Sequence, residues 1–193
     1  MNKAVIDTSS LLSLVRYYLP FDLHSKLFDL IKKKIADKEI ILLDKVIDEC
    51  KNTSKGIVMD SLSFLTDKAF IKDHHPFFNT ESMIAPAPAK FLNQLDNTFV
   101  NGVMKNKLTT VQYDSLRNDF LISADAKLII YCLNQLKNSP LEKILLVTEE
   151  TETNNDKKVF QKIPAICKFL DIEVITLPEL LNLYKSEINL EFR

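Results

Sequence analysis

Four short apolar runs, each followed by a helical pattern, constrain this chain most. They lie at residues 4–6, 40–43, 143–147 and 173–175. They lack the apolar–polar alternation of a half-exposed strand, so they read as strands buried on both faces. A weaker strand is expected after residue 72. Between the runs the apolar spacing turns helical, as at Leu23, Leu27, Leu30, Ile31 and Ile35. Pro20 is expected to end the first helix, and Asp44 to cap the one carrying Val46, Ile47 and Cys50. Further helices are expected at 57–72, 89–103, 109–118, 121–137, 164–170 and 178–186. Strands alternating with helices predict an α/β fold whose parallel sheet is covered on both faces. In such folds, sites form beyond the carboxyl ends of the strands, where the strand order reverses.

Composition narrows the chemistry. The 193 residues include only two glycines, Gly56 and Gly102, where average usage gives about thirteen. No Gly-rich phosphate loop can be written, and a hairpin-rich all-β fold is disfavoured. With 46% apolar residues the chain can fill one core. Twenty-five basic against twenty-six acidic residues give a net charge of −1. That excludes a protein coating nucleic acid by bulk charge, although not a local basic patch. Cys50, Cys132 and Cys167 are scattered in apolar surroundings, which reads as buried thiols rather than disulfides or a zinc site. No apolar run reaches 18 residues, so a soluble cytosolic protein with no membrane partner is expected. One domain spanning 1–193 is expected. Residues 73–118, with His74, His75, Pro76, Pro86 and Pro88, break the strand–helix rhythm and read as a mainly helical insertion.

The acidic residues fall where that fold would place a site. Asp7 follows the first strand, either as a helix cap or as a functional carboxylate. Glu49 lies one turn into the helix behind the second strand, beside Lys45 and Asp48. Asp125 falls on the stripe of Leu121, Leu128, Ile129 and Cys132, an expensive place for an unpaired carboxylate. Ser123 is a plausible N-cap there. Glu149 and Glu150 follow the strand at 143–147, and Thr148 stands ready to hydrogen-bond a neighbouring carboxylate. Carboxylates crowded at one sheet edge repel unless cations hold them, and hard oxygen donors suit Mg²⁺ or Mn²⁺.

The segments V-I-D-T-S-S-L-L, V-I-D-E-C, I-S-A-D-A-K-L-I-I and L-L-V-T-E-E, in this order, resemble the four acidic signatures of PIN domains. The ending resembles a PIN-like subfamily of bacteria and archaea. The resemblance implies a three-layer α/β/α PIN-like (Rossmann-like) fold with a short central parallel sheet. It also implies an Mg²⁺- or Mn²⁺-dependent endoribonuclease, in some members a toxin neutralised by an antitoxin protein. Carried over by motif, Asp7, Glu49, Asp125 and Glu150 would be both catalytic and metal-holding, with Glu149 the alternate fourth acid. Thr8 or Ser9 would orient Asp7. Lys157, Lys158 and Lys162, behind the fourth acid, are candidates for an RNA backbone. A homodimer is compatible with this reading.

Other features read more plainly. His74 and His75 form an exposed loop pair without further ligands. Lys32, Lys33 and Lys34 read as a solvated face. Phe77 and Phe78 read as core rather than as a stacking platform. A haloacid-type phosphatase wants a second acid where Ser9 stands, and a receiver domain wants an acidic pair near the first strand. A catalytically degenerate PIN-like domain, binding nucleic acid or protein, is the surviving alternative.

Overall fold

The computed structural model describes residues 2–152 and 158–187. Five parallel strands form one sheet: β1 (Asn2–Ile6), β2 (Ile40–Leu43), β3 (Phe77–Phe78), β4 (Lys143–Val147) and β5 (Glu173–Ile175), in the order β3-β2-β1-β4-β5. Eleven α-helices are found among the described residues. They are α1 (Thr8–Ser13), α2 (Lys26–Ala36), α3 (Asp44–Asn52), α4 (Ile57–Ser61), α5 (Lys68–His74), α6 (Pro88–Asn97), α7 (Gly102–Lys105), α8 (Thr110–Ile122), α9 (Ala124–Asn138), α10 (Ile163–Phe169) and α11 (Leu177–Leu183). The result is a three-layer α/β/α arrangement.

The central strands justify their sequence. Every residue of β2 is buried, and in β4 only the first, Lys143, is exposed. Strand β1 pairs with β4 along its whole length, from Asn2 opposite Lys143 to Ile6 opposite Val147. It pairs with β2 on its other side. Helix α9 packs across β1, β2 and β4, α2 packs on β2, and α10 packs on β5. Leu128, Ile129 and Cys132 of α9 are fully buried, as are Cys50 and Cys167. The thiols are core packing, and burial pushes those of Cys50 and Cys167 up to about 12.

Several local expectations need correction. The helical pattern at 121–137 is two elements, because Ser123 is extended (φ −70°, ψ 162°), ending α8 and capping α9 through Ala126 N at 3.3 Å. Leu121 therefore belongs to α8. Leu43, not Asp44, is the N-cap of α3. The Asp44 carboxylate accepts from Thr80 Oγ1 at 2.6 Å and Thr80 N at 3.1 Å instead. Lys34 is buried (3% exposed), not solvated, and pairs with Glu39 and Glu187, each at 2.7 Å. Phe78 is partly exposed and meets the Tyr131 ring edge-on. In the range 73–118 the chain completes α5 at His74, so the two histidines end a helix rather than forming a loop pair, and then forms β3, α6, α7 and the first part of α8. Val100 forms an antiparallel bridge with Phe160, tying this range to the segment behind Glu150. Among the described residues no helix is long and apolar enough to cross a membrane.

Candidate functional site

The strand order reverses between β1 and β4, and the register places Asp7 and Thr148 side by side just past their carboxyl ends. The backbone carries the pairing one step further, with Asp7 N donating to Val147 O at 2.9 Å. Asp7 is buried (5% exposed) and caps α1. Its Oδ1 accepts from Thr8 N at 2.7 Å, and its Oδ2 from Ser9 Oγ at 2.6 Å and Thr148 Oγ1 at 2.9 Å.

Each of those hydroxyls is itself polarised. Glu149 N donates to Ser9 Oγ at 3.0 Å, and Glu150 N donates to Thr148 Oγ1 at 3.2 Å. Two parallel relays therefore run from the backbone after β4, through one hydroxyl each, into one carboxylate oxygen. A hydroxyl has one proton, so accepting these amides leaves it free to donate to Asp7. Cooperative polarisation strengthens both links.

Thr8 couples the next acid. Its Oγ1 donates to Glu49 Oε2 at 2.8 Å across from α1 to α3. Partial burial raises the Glu49 carboxyl above the ordinary glutamate range, the Thr8 hydrogen bond opposes this, and the Asp7 charge adds to the rise. Asp125, in the first turn of α9, is half-buried. Burial first, then the charges of Asp7, Glu150 and Glu49, push its carboxyl up to about 7, with Lys158 opposing. Four acids separated by up to 143 positions in sequence thus share one electrostatic environment.

The two candidates for the fourth acid point differently. Glu149 Oε1 accepts from Leu177 N at 2.7 Å, at the start of α11. Glu150 Oε2 accepts from Ile163 N at 3.3 Å, at the start of α10, and contributes to the field on Asp125. Glu150 is the one joined to the acidic group. Lys158 is exposed and Lys162 half-buried as the N-cap residue of α10. Lys157 lies outside the described residues. Sequence reasoning missed the double relay, because the pairing of β1 with β4, which brings Ser9 to Thr148, is a long-range event without local signature.

Among the described residues, no three His, Cys, Asp or Glu side chains converge closely enough to enclose an ion as they stand. The fold and these residues define an α/β protein with an acidic edge at its topological switch point. The chain belongs to the family described as Domain of unknown function (DUF4411), whose profile matches residues 5–188. No curated protein matches the chain.

Proposed function

We propose that the chain is a PIN-like, Mg²⁺- or Mn²⁺-dependent endoribonuclease. The observation that supports this most is the convergence on Asp125, whose carboxyl is raised to about 7 by burial first and then by the charges of Asp7, Glu150 and Glu49, against the pull of a single lysine. An acidic group so weakly compensated favours a cation. The donor set is all hard oxygen, which fits Mg²⁺ or Mn²⁺ and not a soft metal. Asp7, Glu49, Asp125 and Glu150 would hold it. Closing the set requires rotation of the Glu49 and Glu150 side chains, and both reach solvent.

When bound, such a cation supplies water activation and charge neutralisation at a phosphate. The chain's own residues do the rest. Ser9 and Thr148 fix Asp7 by the hydrogen bonds described above, so this carboxylate needs little reorganisation, and Thr8 keeps Glu49 within reach of it. Lys158 and Lys162 flank the acids and hold the phosphate backbone of the substrate strand. An antitoxin protein and a second copy of the chain are the partners to test, by co-purification and by sedimentation.

The direct experiment incubates single-stranded RNA with the protein in Mg²⁺, Mn²⁺ or EDTA. Cleavage is expected with either ion and not in EDTA. Asp125→Asn and Glu150→Gln are expected to abolish it, whereas Glu149→Gln, whose parent is engaged with the Leu177 amide, should retain most of it. Cleavage that survives both Asp125→Asn and Glu150→Gln contradicts the proposal. A second reading, a binding module of degenerate catalytic power, is favoured by the lack of three converging ligands among the described residues. It predicts RNA retention on a filter without cleavage under any ion.

A further inference from the structure

The two flanks of the acidic group differ in chemistry. One cleft, of about 280 Å³, carries Asn101, Lys158, Gln161 and Lys162 beside the apolar Val100 and Phe160, and its charged groups are both basic. A second cleft, of about 350 Å³, is lined by Lys45, Asp48, Glu49, Asn52, Thr53 and Ile122, with Asp48 paired to Lys51 at 2.9 Å. Each cleft touches the acidic group: Glu49 lines the second, and Lys162 of the first precedes Ile163, whose amide donates to Glu150 at 3.3 Å. A third cleft near β5 is lined by Glu150, Glu152 and Glu179, and its lysine, Lys168, is paired with Glu152 at 3.1 Å. A polyanion is repelled there.

The Ile122 cleft carries features for reading a base and few for holding a phosphate. Ile122 is 61% exposed, a large apolar side chain placed in solvent by the break between α8 and α9. An isolated exposed apolar residue needs no explanation, but this one forms a wall beside Glu49. Asn52 sits at the end of α3, and its Nδ2 donates to Asp48 O at 2.9 Å, which orients the amide. That bond leaves the Asn52 carbonyl oxygen and the second amide hydrogen available to a planar edge. Thr53, extended just beyond the helix, adds a hydroxyl. An apolar surface for a ring face beside oriented hydrogen-bonding groups is how proteins read unpaired bases. The cleft's volume lies at the small end of ligand sites.

We infer that the cleft between the C-terminal end of α3 and the α8–α9 junction takes one nucleobase of the substrate strand, with Ile122 and Asn52 as specificity-determining residues. The inference rests on the nuclease reading. The strand runs from the basic flank, gripped through its phosphates irrespective of sequence, across the carboxylates to the Ile122 flank, where sequence is read. The protein therefore cuts with a base preference at one position beside the scissile bond, and Lys158 has no part in that preference.

The test uses a randomised single-stranded RNA decamer, cut with Mn²⁺ and sequenced at its new ends. Wild-type protein is expected to show a preference at one position. Ile122→Ala and Asn52→Ala should relax it about tenfold, and Lys158→Ala should slow all sequences alike. Both substituted side chains are exposed, so folding is preserved. Without cleavage as a readout, a decamer carrying 4-thiouridine is irradiated with the protein in EDTA. Crosslinks are expected at 45–53 or 122–124. Cleavage with no preference, or with a preference both variants leave intact, overturns the base site while the nuclease reading stands. Crosslinks confined to other segments overturn it equally. A wild-type protein that cuts nothing sinks the nuclease reading, and the base site falls with it unless crosslinks form at 45–53 or 122–124.

Discussion

Thr148 Oγ1 donates to Asp7 Oδ2 at 2.9 Å, joining the ends of the two central strands at the point where the strand order reverses. Ser9 Oγ donates to the same oxygen at 2.6 Å. The two hydroxyls are 3.1 Å apart, and each accepts a different backbone amide. Their effects on Asp7 must therefore be coupled.

Thr148→Val keeps the side-chain shape and removes one donor to a buried carboxylate. It is expected to cost about 1–3 kcal/mol. Ser9→Ala should cost a similar amount. The double variant should depart from additivity by about 0.5–3 kcal/mol. Urea denaturation of the four proteins checks this, and strict additivity would show that the hydroxyls act independently.

The pH dependence follows from Asp125. Its folded-state carboxyl titrates at about 7, above the ordinary value of 3.8. The native state therefore holds a proton that the unfolded chain has already released. Stability from this group is full below about pH 4 and is lost as pH rises through about 7. Glu49, also raised, acts in the same direction. Because part of Asp125 meets solvent, the full linkage energy is discounted to a loss of about 2 kcal/mol between about pH 4 and pH 8. Asp125→Asn should flatten that slope in melts without divalent ions. An unchanged slope in the variant would assign it to other groups.

Lys127 is 8% exposed and donates to the carbonyls of Thr80 and Met83, each at 3.0 Å. Asp44 holds Thr80 from the other side. Lys127→Met fills the space without donating, so two carbonyls lose a charged partner, for about 2 kcal/mol. Amide exchange should quicken at 80–85 and stay slow in β1 and β4. Uniform quickening across the chain would mean the lysine supports the whole fold.

Much of this was readable from sequence, for identifiable reasons. Strands 40–43 and 143–147 match the structure because apolar runs of that length are buried whichever neighbours they find, whereas 173–175 is a strand at the sheet edge, with Glu173 exposed and Val174 and Ile175 half-buried rather than covered on both faces. Ser123 was readable as a cap because its signal is local. Lys34 was not. Its burial depends on Glu39, Glu187 and the Tyr184 ring, which its Nζ approaches at 4.5 Å. Two of those partners arrive from the other end of the chain. Asp44 and Thr80 are a similar case, 36 residues apart. The acids of the site could be named individually, but their common field depends on strand order, which no single segment encodes.

The central claim is that Asp7, Glu49, Asp125 and Glu150 form one divalent cation site. Thermal melts of wild type and Asp7→Asn, each titrated with Mn²⁺, test it most directly. Asn can keep the oxygen that accepts Thr8 N, but it puts an amide NH2 where the Ser9 and Thr148 hydroxyls donate, so the variant should be less stable by about 1–3 kcal/mol with no metal present, and the test is the response of each protein to Mn²⁺. At a hundredfold excess over Kd, Mn²⁺ should stabilise wild type by about 2.7 kcal/mol, and the variant should lose most of that gain. A wild-type melting curve unmoved by Mn²⁺, or a variant that gains as much as wild type, contradicts the account.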